Sequence, residues 1–190
     1  HVLTGEYSGS YITPGIDTRY GDLCAFLRSR FDEESTLEDM EADLTCPLPN
    51  DHQRAAAARA AEYGVEIARY DASMLPAMQE FARALGINHW FPPGWEKGYQ
   101  GDRSAFVAIR GSEIVGWTDF RPDGGSLSLG PLGVAPGHRH HGVGTCLVLA
   151  CMREGVRLGL PRIWAGWTNT PFYIPSGWRV FRRYAVFETH

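Results

Sequence analysis

Seven consecutive residues in the C-terminal half of the chain have the types and spacing expected of an anion-binding loop. The run Arg139-His140-His141-Gly142-Val143-Gly144-Thr145 follows an apolar stretch that ends at Val134 and precedes a helical pattern. Gly142 and Gly144 have no Cβ, which allows a ligand to approach the backbone closely. The first amides of a helix have no intrahelical partner and lie at the positive end of its dipole, where phosphate groups bind. The pattern therefore predicts a strand, a loop and a helix that together hold a phosphate or pyrophosphate.

Two common phosphate-binding loops do not fit this run. A P-loop requires Lys followed by Ser or Thr after its second glycine, whereas Thr145 and Cys146 follow Gly144 here. The dinucleotide-binding fingerprint requires a small residue three positions after the second glycine, where this chain has Leu147.

The run instead resembles the acyl-CoA signature of the GNAT N-acyltransferase superfamily, (Gln/Arg)-x-x-Gly-x-(Gly/Ala), which reads here from Arg139 to Gly144. The preceding segment, Pro131 to Pro136, is similar to the fourth strand of that family and the turn after it. The resemblance implies an α/β (α+β) fold with a mixed, mainly antiparallel twisted sheet and flanking helices. It also implies acetyl-CoA as a co-substrate, bound once, at residues 132–145.

The same resemblance assigns roles to particular residues. Backbone groups of Leu132 and Val134 would align the pantetheine arm like an added strand. Asn169 stands where the family has an asparagine that contacts the pantetheine, and Tyr173 where many members have a tyrosine that protonates the departing thiolate. The amides expected to hold the pyrophosphate are those of Arg139, His140, His141, Gly142, Val143, Gly144 and Thr145, with the Arg139 side chain nearby. A buried aromatic ring with a satisfied hydroxyl is the alternative interpretation of Tyr173.

A general base for the acceptor amine is harder to identify. Acyl transfer to an amine needs an unprotonated amine and a proton for the leaving thiolate. The strand from Leu127 to Leu132 contains no carboxylate or histidine. Asp119, on the preceding strand, is the better placed candidate, and Glu113 is the other. A solvated strand residue is the alternative interpretation of Asp119, and deprotonation through water would also serve.

The histidines and cysteines indicate neither a metal site nor a nucleophile. His138, His140 and His141 are close in sequence, but no separate Cys/His set completes a zinc site. Cys146 and Cys151 fall within a predicted helix and are interpreted as small apolar residues. The four cysteines have no CxxC or disulfide spacing, which favours reduced thiols and a cytoplasmic location.

Composition narrows the classes of function. Hydrophobic residues make up 44% and charged residues 21% of the chain, and neither a membrane-spanning run nor a signal peptide pattern is present. The net charge of −4 disfavours a nucleic-acid partner. Lys97 is the only lysine among 18 Lys and Arg residues, which we interpret as the codon bias of a GC-rich, bacterial genome. Composition therefore favours neither a nucleic-acid nor a membrane partner, and the partner that the GNAT resemblance implies is a small-molecule amine.

The hydrophobic patterns place a GNAT-like domain at residues 65–190. A helix is predicted from Ser73, as its cap, to Gly86, and a second helix from the loop to Gly159. The predicted strands lie at 65–70, 105–109, 114–120, 127–134, 162–167 and 178–188. The buried face of the second helix is predicted to contain Val143, Leu147, Ala150, Cys151 and Leu158. The aromatic segment 89–95 is expected either to form an exposed binding wall or to be buried and hold its loop.

Residues 1–45 resemble the last third of a GNAT domain without its cofactor-binding part. A strand at 2–4, a turn at 13–15, a helix capped by Asp17 or Thr18 and a strand at 37–44 are expected there. Residues 25–31 align loosely with 172–178, which indicates an internal repeat and a tandem GNAT protein. Phe26 falls opposite Tyr173 in that alignment, so this half is predicted to be catalytically silent.

The segment that joins the two parts, residues 46–64, is predicted to be a linker with a solvent-facing helix. Residues 178–190 contain only one of the two closing strands that the family has, so segment 1–45 is expected to supply the other. The sequence is compatible with a homodimer and with contact to a missing N-terminal GNAT part.

These features predict an N-acetyltransferase that moves an acetyl group from acetyl-CoA to a small-molecule amine by direct attack in a ternary complex. A non-catalytic acyl-CoA-binding scaffold or regulatory protein is the alternative, because the base and one closing strand are not evident. A DNA-associated regulator has only the arginine count in its favour.

Overall fold

The computed structural model of the chain describes residues 15–91, 94–97, 99 and 103–188. The strand expected at 2–4 and most of the turn at 13–15 lie outside these residues. The chain divides into two compact units. One contains the residues up to Glu41 together with those from Ala165 onward, and the other runs from Ala42 to Trp164.

The larger unit has a sheet covered by three helices. Its strands are β3 (Val65–Arg69), β4 (Ser104–Arg110), β5 (Glu113–Asp123), β6 (Ser126–Val134) and β7 (Arg162–Ala165), the last of which ends at the boundary between the units. Its helices are α2 (Asp51–Glu62), α3 (Leu75–Leu85) and α4 (Val143–Arg157). The strands lie in the order β7-β6-β5-β4-β3. The pairs β3–β4, β4–β5 and β5–β6 are antiparallel, which confirms the mainly antiparallel α/β prediction.

Local sequence explains where α3 begins and ends. The side chain of Asp71 accepts a hydrogen bond from the amide of Ser73 at 2.9 Å, so Asp71 caps the 3₁₀ turn Ala72–Met74 that leads into α3, and the prediction that Ser73 is the cap is wrong. Gly86 ends the helix with φ of 67°, a left-handed conformation that favours glycine. The buried face of α3 packs into a core with Trp117, Phe91 and Trp95. Phe91 stacks on both tryptophans at 4.1 Å, so Phe91 and Trp95 are buried and hold the loop, whereas His89 and Trp90 of the same segment are exposed.

Helix α2 is where the sequence places a helix, but it is not solvent-facing on all sides. Gln53, Ala56 and Ala60 are buried, because their spacing brings them to one face and alanine has only a methyl group to pack. Asn50 and Gln53 form a reciprocal capping box at its start. The side-chain Nε2 of Gln53 also donates a hydrogen bond to the sulfur of Met152 on α4, at 3.3 Å. Helix α2 therefore belongs to the folded unit.

Helix α4 buries most of the face that its sequence predicts. Val143, Leu147 and Cys151 are buried and Ala150 is half-buried. Leu158 is 40% exposed, so its assignment to the buried face is wrong. The reason is that α4 ends at Arg157, and Leu158 already belongs to the turn that leads to Gly159.

The smaller unit is formed by the two ends of the described chain. It contains β1 (Ile16–Asp17), α1 (Gly21–Arg28), β2 (Asp32–Asp43), α5 (Thr170–Tyr173) and β8 (Arg179–Glu188). Strand β2 belongs to this unit as far as Glu41. Both β1 and β2 pair with β8 in antiparallel fashion, so segment 1–45 supplies a partner strand for β8, as expected. Helix α1 begins after Tyr20, and neither Asp17 nor Thr18 caps it; Asp17 is in β1 and binds Arg19. No helix among the described residues is long and apolar enough to cross a membrane.

Candidate active site

The loop that the sequence singles out connects β6 to α4 through a short 3₁₀ turn at Pro136–His138. The amide of Ala135 donates to the carbonyl of Val115 at 2.9 Å, which anchors the start of the loop on β5. His140 and Gly142 have positive φ, of 66° and 82°. Left-handed backbone at a residue other than glycine is uncommon and often marks a functional segment. The loop is thus sharply bent, and it leads directly into the first turn of α4.

The ladder between β5 and β6 fixes the direction of the backbone groups of Leu132 and Val134. Residue pairs in an antiparallel ladder alternate between those that exchange hydrogen bonds and those that do not. Since Ala135 bonds to Val115, the next pair, Val134 with Gly116, does not exchange bonds, and neither does Leu132 with Thr118. The backbone groups of Leu132 and Val134 therefore point away from β5. The carbonyl of Val134 accepts a hydrogen bond from Nε of Arg139 at 3.1 Å, so this carbonyl is already engaged by the loop.

The start of α4 has the properties of an anion site. Its first amides have no intrahelical partner. No side chain of the described residues caps this end, and its first turn contains no acidic residue. The residues before it are basic or glycine, so positive potential from Arg139 adds to that of the helix dipole.

Gly142 has a role in packing that its sequence does not reveal. A Cβ built on Gly142 would lie 2.2 Å from the carbonyl oxygen of Ala56 and 2.9 Å from its carbonyl carbon. These are backbone atoms of α2, which cannot move aside like a side-chain end. The missing Cβ therefore lets α2 lie against the loop, in addition to any approach of a ligand.

Tyr63, at the end of α2, is a loop contact that the sequence analysis missed. Its ring stacks on His141 with centroids 3.7 Å apart. The signal in the sequence is weak, because one aromatic residue after an alanine-rich helix is equally typical of ordinary packing.

Asp119 lies in a buried polar cluster and is not a solvated strand residue. It is 1% exposed, and its Oδ2 accepts a hydrogen bond from Nη1 of Arg103 at 2.7 Å. Burial raises the pKa of Asp119 to about 7, against the opposing effect of Arg103. A carboxylate of this kind has the proton affinity of a general base near neutral pH. The other candidate, Glu113, is exposed at the start of β5.

Two tyrosines extend the cluster around Asp119. The ring of Tyr99 contacts that of Tyr70, with centroids 5.1 Å apart, and its hydroxyl accepts a hydrogen bond from Nε1 of Trp117 at 2.6 Å. Burial and the charge of Asp119 raise the pKa of Tyr99. The buried hydroxyl of Tyr70 has no hydrogen-bond partner within the part of the chain that the structure describes. The cluster therefore offers a polar group that a ligand could satisfy.

In the smaller unit, β2 orients the segment that contains Asn169 and Tyr173. The carbonyl of Glu38 accepts hydrogen bonds from the amide and the hydroxyl of Thr168, at 2.9 and 3.1 Å. The side chain of Asp39 accepts from the amide of Trp167 at 3.2 Å. Asn169 precedes α5 and is exposed, whereas Tyr173 is 7% exposed beside the ring of Trp178. Asp39 and the backbone of Glu38 thus hold the segment that leads to α5.

The histidines and cysteines are the remaining candidate groups. The described residues contain no group of three or more His, Cys, Asp or Glu side chains that could hold a metal ion. Cys151 is fully buried and Cys146 is half-buried; burial raises the pKa of both thiols. Raised thiol pKa values disfavour the nucleophilic thiolate.

Comparisons with known proteins agree with this geometry at the level of fold. A fungal multi-domain GH3 beta-N-acetylglucosaminidase contains a GCN5-related glucosamine N-acetyltransferase region with a TM-score of 0.73 and 17% identity, covering 98% of this chain and 25% of that one. A GCN5-related N-acetyltransferase from Kribbella flavida has a TM-score of 0.62 and 13% identity, covering 92% and 66%. A tandem GNAT protein from the clavulanic acid biosynthesis pathway has a TM-score of 0.56 and 13% identity, covering 98% and 61%.

The chain thus spans between 25% and 66% of the length of these structures. No curated protein matches it in sequence. The model of the acetyltransferase (GNAT) family matches residues 68–174, which is more than half of the 190 residues. The chain belongs to the GNAT acetyltransferase family.

Proposed function

We propose that this protein transfers an acetyl group from acetyl-CoA to a primary amine of a small molecule, within a ternary complex. The observation that carries the proposal is the uncapped start of α4, which follows a strand whose Leu132 and Val134 backbone groups point away from β5. This arrangement suits a ligand with a pyrophosphate and an amide-containing arm.

In this proposal, different residues bind the cofactor, align its arm and transfer protons. The amides of Arg139 to Thr145 bind the pyrophosphate, and Leu132, Val134 and Asn169 align the pantetheine. The amine nitrogen attacks the thioester carbonyl, and the tetrahedral intermediate collapses to an amide and a thiolate. Asp119 takes the proton that the amine loses, directly or through water, and Tyr173 donates a proton to the thiolate. Support for Asp119 comes from its burial and its pKa of about 7.

The acceptor is proposed to be a small polar amine. The Asp119 cluster contains an ion pair, two tyrosine rings and the Tyr70 hydroxyl, which is unpaired among the residues that the structure describes; these groups suit an amine with hydroxyl groups. The fungal region is named for glucosamine, but the likeness to it shows the fold alone. Glucosamine therefore enters the assay as one candidate beside aminoglycosides and amino acids.

The test measures free thiol released from acetyl-CoA with each amine, together with CoA binding by calorimetry. We expect CoA binding and amine-dependent thiol release. CoA binding without release across the panel would contradict the enzyme and support the non-catalytic acyl-CoA-binding protein; no CoA binding would contradict both.

A pair of variants tests the phosphate assignment. Gly144→Asp places a negative charge in the first turn of α4 and should weaken CoA binding at least tenfold more than Gly144→Ala, which is matched in backbone effect but uncharged. Equal affinities of the two variants would contradict the assignment.

A further inference from the structure

Tyr63 joins α2 to the loop before α4 through both its ring and its hydroxyl. Its ring lies parallel to that of His141, at an interplanar angle of 3° and a centroid distance of 3.7 Å. Its hydroxyl lies 3.1 Å from Nδ1 of His138, and which of the two groups donates depends on the histidine tautomer. It also lies 3.5 Å from the carbonyl oxygen of Gly137. One side chain therefore contacts both ends of the segment 137–141.

Tyr63 is itself held in place from the sheet. The guanidinium carbon of Arg110 lies 4.2 Å from the centroid of the Tyr63 ring, and Nε of Arg110 donates to the carbonyl of Tyr63 at 3.0 Å. Arg110 and His141 cannot both occupy one face of the ring at such distances, so the ring lies between them. Cation–π attraction and stacking thus act on the same ring. Tyr63 is a fixed support rather than a mobile surface residue.

The segment that Tyr63 supports has few other restraints. Its backbone bonds are short-range, from His138 to Ala135 and from Arg139 to Pro136, and His140 is in the left-handed region. A loop of this kind loses conformational entropy when it binds a ligand, unless other contacts have already ordered it. The contacts of Tyr63 supply such order before the ligand arrives.

We propose that Tyr63 is a positioning residue that holds the pyrophosphate-binding loop in its binding conformation through His138 and His141. The inference rests on the proposed function, since it concerns the same loop. It also goes beyond the family match, which begins at residue 68 and so excludes α2 and Tyr63. Because Tyr63 acts on the loop, its loss weakens the binding of CoA and leaves turnover by the saturated enzyme unchanged.

The test compares Tyr63→Ala, which loses both contacts, with Tyr63→Phe, which keeps the stacking ring. Tyr20→Ala is the matched control, since Tyr20 is 66% exposed and lies in the smaller unit. Calorimetry measures the affinity for CoA, and steady-state kinetics with acetyl-CoA give KM and kcat. Calorimetric unfolding gives Tm. We expect Tyr63→Ala to raise the Kd for CoA and the KM for acetyl-CoA about tenfold, which corresponds to about 1.4 kcal/mol. Tyr63→Phe should weaken CoA binding about threefold, since it loses only the hydroxyl contact, while kcat should stay within about twofold and Tyr20→Ala should bind like the wild type.

A double-mutant cycle of Tyr63→Phe with His138→Ala covers the case in which Tyr63→Ala does not fold. A non-additive effect on the Kd for CoA supports the hydroxyl contact, and additivity overturns it. Wild-type protein that does not bind CoA would contradict the proposed function itself. Wild-type protein that binds CoA, with unchanged affinity in Tyr63→Ala, would overturn the positioning role alone. A parallel fall in kcat, affinity and Tm would also overturn it, because Tyr63 would then be merely structural.

Discussion

Replacing Gly142 by alanine should destabilise the protein through two separate effects. Gly142 has φ of 82°, and a side chain in this left-handed region costs about 1–2 kcal/mol. The added Cβ would also lie 2.2 Å from the carbonyl oxygen of Ala56, so α2 must shift. Overpacking of this kind costs about 1–3 kcal/mol. The expected loss is about 2–5 kcal/mol, which for a chain of this size lowers Tm by roughly 5–15 °C.

Two other glycines separate these effects. Gly159 has φ of 70° and nothing within 4 Å of an added Cβ, so Gly159→Ala carries only the backbone strain. Gly137 has neither positive φ nor a close neighbour, so Gly137→Ala should change stability by less than about 0.5 kcal/mol. Urea unfolding and calorimetric Tm of the three variants give the comparison. If Gly142→Ala is no more destabilising than Gly159→Ala, the close contact between the loop and α2 is refuted.

Of three further predictions, two concern the roles of Tyr173 and Asp119 in the reaction, and one concerns the contribution of Glu154 to stability. Tyr173→Phe should lower kcat about a hundredfold with little change in the Kd for CoA, because only the proton donor is lost; steady-state kinetics and calorimetry measure both. With an aromatic amine that stays unprotonated over the whole range, kcat/KM should rise as pH increases through about 7, as Asp119 loses its proton, and Asp119→Asn should abolish this rise. Glu154→Gln should destabilise the fold by about 1–3 kcal/mol in urea unfolding at pH 7, because the buried carboxylate binds both Arg69 and Arg157.

The controls for these predictions use residues of the same chain. Unchanged kcat in Tyr173→Phe would remove Tyr173 from the mechanism, and a pH profile that persists in Asp119→Asn would do the same for Asp119. Glu80 pairs with Arg83 on the surface, where both side chains are at least 66% exposed, so Glu80→Gln should cost less than about 1 kcal/mol. The hydrogen bonds from Arg157 and Arg69 lower the pKa of Glu154 to about 2, from 4.5. Its contribution is therefore full above pH 4.5 and is lost as pH falls through about 2. Equal losses in Glu154→Gln and Glu80→Gln would contradict this account.

Most elements could be predicted because their determinants lie within a few residues of one another. The glycine-rich loop with its strand and helix, the hairpin turns at Gly111 and Gly124, and the stop of α3 at Gly86 all depend on local backbone preference and periodicity. The errors concern the ends of helices, where one or two residues decide the outcome. Asp71 rather than Ser73 caps the entry to α3, and Leu158 falls just beyond the end of α4.

The burial of α2 could not be predicted from its alanine-rich sequence. Alanine is compatible with an exposed helix and with close packing, and only the position of α4 distinguishes the two. The strand β2 shows the same limit, because acidic residues weaken a strand pattern and their partners are distant in sequence. The amide of Trp167 donates to the side chain of Asp39, and Arg183 donates to that of Glu38.

By itself, the sequence determined the loop from Arg139 to Thr145, the strand and helix on either side of it, and the family to which they belong. These features depend on short runs of residues. Tertiary structure alone decided that Asp119 is buried beside Arg103, that Gly142 faces Ala56 and that Tyr63 contacts His138. The last pair is separated by 75 residues. Such contacts depend on how helices and strands pack, and no local pattern encodes which distant side chains will meet.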